Sequence, residues 1–207
     1  MKILVACEES GTVRDAFIRM GHDAWSCDLL PSIGNHIQKD VLEVIEYGWD
    51  MMIAHPACTY LTTTANKWLK DQPPRKSGAL VGEARRNARL EAIDFFMKLV
   101  DAPIERICIE NPVGCMSTVY RKPDQIIQPF YFGHVEPKRT CLWLKNLPKL
   151  EYTDIVEPEY HITKSGKRLP KWYAYADKSK GQEERARIRS VTFDGIADAM
   201  ASQWQPE

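Results

Sequence analysis

The fold is decided by residues 2–28, which read KILVACEESGTVRDAFIRMGHDAWSCD. The stretch opens with an apolar run, Lys2 to Cys7, that is typical of a strand buried on both faces of a sheet. A helix follows the polar turn, with Thr12 as its expected N-cap and Gly21 as its end. One face of that helix carries apolar residues at helical spacing, Val13, Ala16, Phe17 and Met20. With a second strand at His22 to Cys27, the stretch predicts a strand-helix-strand unit.

The same alternation continues along the chain. Residues 47–55 predict another buried strand, Glu83 to Val100 has the apolar spacing of a helix, and Ile104 to Ile109 predicts a further strand. Alternating strands and helices indicate an α/β fold, with a mostly parallel sheet and helices on both faces. In such folds ligands bind at the carboxyl ends of the strands.

Composition describes an ordinary globular chain of 207 residues, 44% hydrophobic and 27% charged. Lys plus Arg and Asp plus Glu number 28 each, so any nucleic-acid-binding surface has to be local. There is no apolar run of the roughly 20 residues that a membrane span needs. The first apolar segment turns acidic at Glu8, unlike a signal peptide. We therefore expect a cytoplasmic protein with no membrane partner, and favour a monomer.

The six cysteines are scattered and form no CxxC pair, which argues against a zinc site, and we expect no metal. Cys27 and Cys108 lie inside apolar runs and are expected to be buried. Cys58 is different, because it follows a predicted strand through His55-Pro56-Ala57 and so lies at the functional edge of the sheet. Glu110 closes the next strand and could share a pocket with Cys58, where burial would raise its pKa and allow proton donation near neutrality.

These motifs resemble those of the DNA (cytosine-5) methyltransferases. Pro56-Ala57-Cys58 is similar to the nucleophile loop of that family, Glu110-Asn111-Pro112 to its Glu-Asn-Val motif, and Lys138-Arg139-Thr140 to the segment that carries its pocket arginines. Residues 193–204 resemble its closing helix. The likeness covers residues 2–144 and 190–204 and implies a Rossmann-like fold that uses S-adenosylmethionine. The sequence departs from the family's pattern in a first loop with a single glycine, in Ala57 in place of a second proline, in Thr59 where Gln or a similar residue is usual, and in Cys141 where a second arginine is usual. Gly195-Ile196-Ala197 also lacks the family's asparagine.

The resemblance implies three groups of site residues. The catalytic group is Cys58 as the nucleophile, Glu110 as the acid and Arg139 as a cation that holds the base or orients Glu110. The S-adenosylmethionine group is Cys7, Glu8, Ser10, Gly11, Asp28, Asp40 and Pro56, with Asp28 on the ribose and Asp40 on the adenine.

The third group binds DNA. It combines Asn111 with members of two basic, aromatic-containing stretches, a mixture suited to phosphate contact and base stacking: Lys67, Arg85, Arg86, Lys167, Arg168, Lys171 and Trp172. The division that follows is a catalytic domain at 1–145, a small basic target-recognition or insertion segment at 146–189, and a returning helix at 190–207.

The implied reaction is methylation of cytosine C5 in DNA. The Cys58 thiolate would add to C6 of a base flipped out of the duplex, with residues 59–82 closing over it. Two alternatives remain open. One is a C5-alkylating enzyme that acts on free pyrimidine nucleotides or uses a modified sulfonium cofactor, and the other is a silent relative that binds cofactor or DNA. A nicotinamide-dependent dehydrogenase is set aside, because the chain lacks the GxGxxG fingerprint.

Overall fold

A computed structural model describes residues 1–171 and 190–206 of the chain. A seven-stranded sheet forms the centre, in the order β3-β2-β1-β4-β5-β7-β6, and a two-stranded ribbon, β8-β9, stands apart from it. The strands are β1 Lys2–Ala6, β2 Asp23–Asp28, β3 His36–Gln38, β4 Met51–Ala54, β5 Arg106–Pro112, β6 Gln125–Ile127, β7 Thr140–Lys145, β8 Tyr160–Ile162 and β9 Arg168–Pro170. The α-helices within these residues are α1 Thr12–Arg19, α2 Gly82–Val100, α3 Met116–Val119 and α4 Asp194–Gln203.

Strands β1 to β5 pair in parallel, and β7 runs antiparallel between β5 and β6. This reversal brings the amino end of β7 to the edge where the parallel strands end. Thr140 consequently lies opposite Pro112, and Leu142 lies opposite Glu110. Residues just before β7 therefore reach the same edge as residues just after β4.

Helices cover both faces of the sheet. Alternate residues of a strand point to opposite sides, so each central strand packs against helices on both faces. Ile3 and Val5 of β1 pack with α1 and α4, whereas Leu4 and Ala6 pack on the other side with α2. The predicted α/β class, a mostly parallel Rossmann-like sheet with helices on both faces, is confirmed.

The closing helix lies where the sequence predicted it. Helix α4 packs against α1, Arg19 contacts Asp198 at 2.6 Å, and Trp204 is 1% exposed. Helix α2 begins at Gly82 and ends at Val100, within one residue of its predicted bounds. Cys27 and Cys108 are buried, as expected.

Several local predictions were wrong or incomplete. Helix α1 is capped by Gly11 in a left-handed conformation and not by Thr12, because the Glu8 carboxylate already satisfies the first amide groups of the helix. The strand expected over 47–55 is limited to Met51–Ala54. The short strands β3 and β6 were not predicted, since three residues are too few to show a periodic pattern.

None of the helices within the described ranges is both long enough and apolar enough to span a membrane.

Candidate active site

Cys58 lies four residues beyond β4 on a loop that β5 holds in place. The side-chain amide of Asn111 donates to the Pro56 carbonyl at 2.7 Å. The Cys58 carbonyl accepts from the backbone amides of Leu61 and Thr62 at 3.0 and 3.1 Å, which closes a tight turn behind the thiol. Asn111 itself is 1% exposed. The sequence assigned Asn111 to substrate binding, but its side chain faces the protein and orients the Cys58 loop.

Gly114 fixes the far side of this loop. The amide of Cys115 donates to the carbonyl of buried Leu61 at 2.8 Å, so the two backbones meet closely. A Cβ on Gly114 would lie 2.9 Å from the Leu61 carbonyl carbon and closer still to its oxygen. Only glycine fits this contact, and the Cys58 loop is thereby tied to the chain that follows β5.

Glu110 enters the same edge from β5. Its side chain is 15% exposed, and Oε2 lies 3.4 Å from Nδ1 of His55. Burial raises the pKa of Glu110, but hydrogen bonds from His55 and Thr140 and the positive charge of Lys138 outweigh it, so the net pKa lies below its ordinary value. The expected raised pKa was therefore wrong, because the carboxyl group has polar and cationic partners in place of an apolar wall. Glu110 is a carboxylate at neutral pH.

The Cys58 thiol is half-buried and coupled to Glu110. Burial raises the pKa of the thiol and the Glu110 charge raises it further, against an opposing effect of Lys138. Cys58 follows β4 and Glu110 lies on the paired strand β5, and a pocket shared by the two side chains stays a prediction. In the free protein the thiol is protonated and the carboxyl group is ionised.

The cation that acts on both groups is Lys138. It lowers the pKa of Cys58 and of Glu110, and its Nζ lies 5.7 Å from the centroid of the Phe193 ring. Arg139, the cation chosen from the sequence, instead lowers the pKa of Cys141 on β7. Lys138 is thus a member of the site that sequence reasoning passed over, although it lies in the motif that the resemblance identified. Arg139 remains a prediction.

The first loop does not present Glu8 to a ligand. The Glu8 side chain is buried, and its carboxylate accepts from the amides of Val13 at 2.7 Å and Arg14 at 3.3 Å. Ser10 donates to the same carboxylate at 3.4 Å. Both side chains contact the start of α1, and Ser10 is exposed, so the cofactor roles of Glu8 and Ser10 stay predictions. Gly11 has a φ of 75°, and a Cβ there would overlap the Arg14 guanidinium.

Two further acids gather around Cys7. Burial raises the pKa of Cys7 to about 12, and Asp28, Cys27 and Asp40 add to the increase. Asp28 is the last residue of β2, and Asp40 follows β3 by two residues. One oxygen of Asp28 accepts from the Leu30 amide at 2.9 Å, and one of Asp40 accepts from the Leu42 amide at 3.0 Å. A carboxylate can accept about four hydrogen bonds, so both acids retain acceptor capacity.

The basic residues of α2 hold the loop that follows Cys58. Arg85 is 4% exposed, donates to the Thr59 carbonyl at 3.0 Å and stacks on Tyr60. Arg85 thus holds the loop after Cys58, and its predicted contact with DNA stays a prediction. Arg89, which the sequence analysis did not single out, donates to the Tyr60 carbonyl at 2.7 Å.

Two other predicted DNA contacts stay accessible. Arg86 donates to the Leu69 carbonyl at 2.8 Å and pairs with Asp71 at 2.9 Å, with 45% of its side chain exposed. Lys67 is exposed and lies 4.8 Å from the centroid of the Trp68 ring. Both remain predictions: Lys67 lies on the segment after Cys58, and Arg86 lies on α2 and binds a backbone carbonyl of that segment.

The basic segment after residue 160 forms the β8-β9 ribbon. Arg168 lies over the Tyr160 ring at 4.1 Å, and Lys171 pairs with Glu159 at 2.7 Å. Lys167 and Arg168 are exposed. Trp172 lies outside the described residues. The remaining predicted cations are thus on a surface ribbon.

No cluster of three or more His, Cys, Asp or Glu that could hold a metal occurs in residues 1–171 and 190–206.

No protein-family model matches the chain, and no curated protein matches it. Among solved structures it is similar to a prophage-encoded E. coli protein described as a candidate DNA modification methyltransferase. The two share 14% identity with a TM-score of 0.43, over 76% of this chain and 50% of that one. The chain therefore spans about half the length of that structure. At this identity the residues of the site, and not the similarity, carry conclusions about chemistry.

Proposed function

We propose that this protein transfers a methyl group from S-adenosylmethionine to C5 of cytosine in DNA. The observation that carries the proposal is the placement of Cys58 just after β4 and of Glu110 on its paired neighbour β5, where Asn111 binds the Pro56 carbonyl at 2.7 Å and His55 lies 3.4 Å from the Glu110 carboxylate. A thiol beside a carboxylate and a cation is the set of groups that covalent addition to a pyrimidine needs. The resemblance of the Pro56-Ala57-Cys58 and Glu110-Asn111-Pro112 motifs points to the same reaction.

Cys58 is the nucleophile of this reaction. Cytosine C5 is a poor nucleophile, and bonding of the Cys58 sulfur to C6 makes C5 enamine-like. Glu110 binds the N3 and exocyclic amine edge of the ring. Lys138 stabilises the negative charge that Cys58 and Glu110 carry during the reaction. Loss of the C5 proton then allows sulfur to leave. The turn at Leu61 and the Asn111 hydrogen bond hold the thiol in place throughout.

The acids around Cys7 fit the proposed cofactor. Asp28, the last residue of β2, and Asp40, two residues beyond β3, are acceptors, which suits ribose hydroxyls, an adenine amine and a nearby positive charge. We assign these two residues to the cofactor. Glu8 and Ser10 are left out, since their polar atoms are engaged with α1. When bound, S-adenosylmethionine supplies an electrophilic methyl group.

The target cytosine of the DNA has to reach the Cys58 thiol. A base inside a stacked duplex cannot reach Cys58, so the nucleotide is extruded at a cost of a few kcal/mol. Exposed cations, Lys67 in the segment after Cys58, Arg86 on α2, and Lys167 and Arg168 on the β8-β9 ribbon, can offset this by binding phosphates. Residues 59–82, whose backbone carbonyls bind the α2 arginines, are the segment we assign to closure.

The experiment is incubation of the protein with methyl-labelled S-adenosylmethionine and mixed-sequence DNA, followed by nucleoside analysis. The expected product is 5-methylcytosine, with none formed by Cys58→Ser. A parallel arm with free cytidine nucleotides distinguishes an enzyme of nucleotide metabolism from one acting on DNA. Label in adenine or at N4 of cytosine would refute the C5 assignment.

A second candidate function is DNA binding without methyl transfer. Two observations favour it: burial and Glu110 raise the pKa of Cys58, and Glu8 is committed to α1. Such a protein would bind DNA but form no covalent adduct with DNA that contains 5-fluorocytosine, whereas the proposed enzyme traps this base when cofactor is present.

A further inference from the structure

His55 is a buried residue of the site with no assigned task. Its side chain is 10% exposed, and Nδ1 lies 3.4 Å from Oε2 of Glu110. Because ionised Glu110 can only accept, Nδ1 carries the hydrogen of this contact. Nε2 is also buried, and it has no hydrogen-bond partner among the described residues. The backbone of His55 is held separately, by donation of its amide to the Ala6 carbonyl at 2.9 Å. The ring is therefore not needed to place the backbone.

The proton positions in the free protein are the reverse of those the addition requires. Cys58 holds a proton that has to leave before sulfur bonds to C6. Glu110 holds none, although N3 of the ring has to gain one as the adduct forms. One transfer resolves both requirements, because Cys58 follows β4 and Glu110 lies on the paired strand β5, with the Cys58 loop tied to β5 by the 2.7 Å hydrogen bond from Asn111 to the Pro56 carbonyl.

We propose that His55 is the positioning residue of a proton shuttle, holding Oε2 of Glu110 through Nδ1 so that the other carboxylate oxygen carries the Cys58 proton to cytosine N3. This inference rests on the proposed function. In the first step the S–H bond breaks and an O–H bond forms on Glu110. The sulfur electron pair then bonds to C6, the C5=C6 pair moves to C4–C5, and the C4=N3 pair takes the proton from Glu110. The carboxylate is restored, and no outside proton is consumed.

The surroundings of Glu110 explain why one donor matters. The groups that interact with it are His55 and Cys58 after β4, Lys138 and Thr140 at the start of β7, Cys108 on β5 and Cys141 on β7. The cysteines within the sheet are buried thiols that cannot orient a carboxylate. From the β4 side, His55 is the group that hydrogen-bonds to it. A contact of 3.4 Å is long, as catalytic hydrogen bonds often are before substrate binds.

Two measurements test the shuttle, and neither requires the cofactor. Reversible addition of Cys58 to C6 makes C5 exchange its hydrogen, so release of tritium from DNA containing [5-³H]cytosine reports the addition alone. Carbon-13 NMR of the Glu110 side-chain carboxyl group, assigned with Glu110→Gln, reports its pKa without DNA. The variants are His55→Ala, which removes the donor, and His55→Asn, which retains an N–H donor. His22→Asn, at the opposite edge of the sheet, is the matched control.

For His55→Ala we expect tritium release to fall about 100-fold, the usual scale of a lost acid–base contribution, with DNA affinity unchanged. The Glu110 pKa should rise, because the stabilised form is the carboxylate, and the acid limb of the exchange profile should move to higher pH with it. His55→Asn should restore most of the rate, and His22→Asn should behave as wild type.

Each of the other possible outcomes refutes a different step of the His55 proposal. An unchanged Glu110 pKa in His55→Ala shows that His55 does not act on the carboxylate. A shifted pKa with an unchanged exchange rate overturns the shuttle while leaving the contact in place. If His55→Asn is as slow as His55→Ala at an intact fold, a donor at this position is not sufficient and the positioning role is wrong. If wild-type protein releases no tritium and methylates no DNA, the proposed function fails as well, a result that the His55 variants alone cannot produce.

Discussion

Gly114→Ala tests whether the close contact between Gly114 and Leu61 sets the position of Cys58. The new Cβ would stand 2.9 Å from the Leu61 carbonyl carbon. Because carbon atoms in contact normally lie about 3.5–4.0 Å apart, the Cys58 turn has to retreat by about 0.6–1 Å. The neighbour is backbone, which cannot rotate away. Overpacking of this kind costs about 1–3 kcal/mol, and a shift of about 1 Å at a reacting group costs about 100-fold in rate.

The matched control is Gly195→Ala in α4. Its Cβ would lie 3.1 Å from the Phe132 carbonyl carbon and closer to the oxygen, so the clash has the same chemistry away from the Cys58 loop. Thermal unfolding and cofactor-free tritium release are measured for both variants. Both should lose roughly 2–12 °C in Tm, at about 2–4 °C for each kcal/mol.

Only Gly114→Ala should lose exchange activity per folded molecule, by about 100-fold. Equal activities in the two variants would show that the Leu61 contact does not set the position of the thiol. A Gly114→Ala protein as stable as wild type would show that the loop yields freely, and the packing argument would be wrong.

Three other variants test separate contacts. Cys58→Ser should abolish tritium release and methyl transfer, yet bind S-adenosylmethionine normally by calorimetry, because Asp28 and Asp40 are untouched; residual turnover contradicts the mechanism. Glu110→Gln should slow methyl transfer by about 10²–10⁴-fold. The same variant should speed iodoacetamide labelling of Cys58 at mildly alkaline pH, because it removes the carboxylate charge that raises the pKa of the thiol. Slower labelling would argue against an electrostatic interaction between Glu110 and Cys58. Glu8→Ala should lower stability by about 1 kcal/mol in urea unfolding, whereas Glu8→Gln keeps an acceptor for α1 and should lose less.

The site residues that the sequence alone predicts are those whose positions follow from local sequence patterns. Cys58 and Glu110 each follow or close an apolar strand, and in a parallel sheet such positions share one edge. The motif that contains Lys138 was identified, but the choice between Lys138 and Arg139 depends on which of two adjacent side chains turns inward. The local sequence pattern does not fix the surroundings of Arg85. As a cation in a basic stretch it predicts phosphate contact, but its helix presents it to loop carbonyls and it is buried.

What the sequence determined by itself was the alternation of strands and helices, the closing helix and the positions of the reactive groups along the chain. All of these follow from local periodicity and from the end of each apolar run. Only the tertiary structure decided the charge state of the site. The pKa of Glu110 depends on His55 from one strand end and on Lys138 and Thr140 beside a strand that runs in reverse. Electrostatic interaction acts through space, so groups 55 and 28 positions away in the chain govern the carboxylate more than its sequence neighbours do.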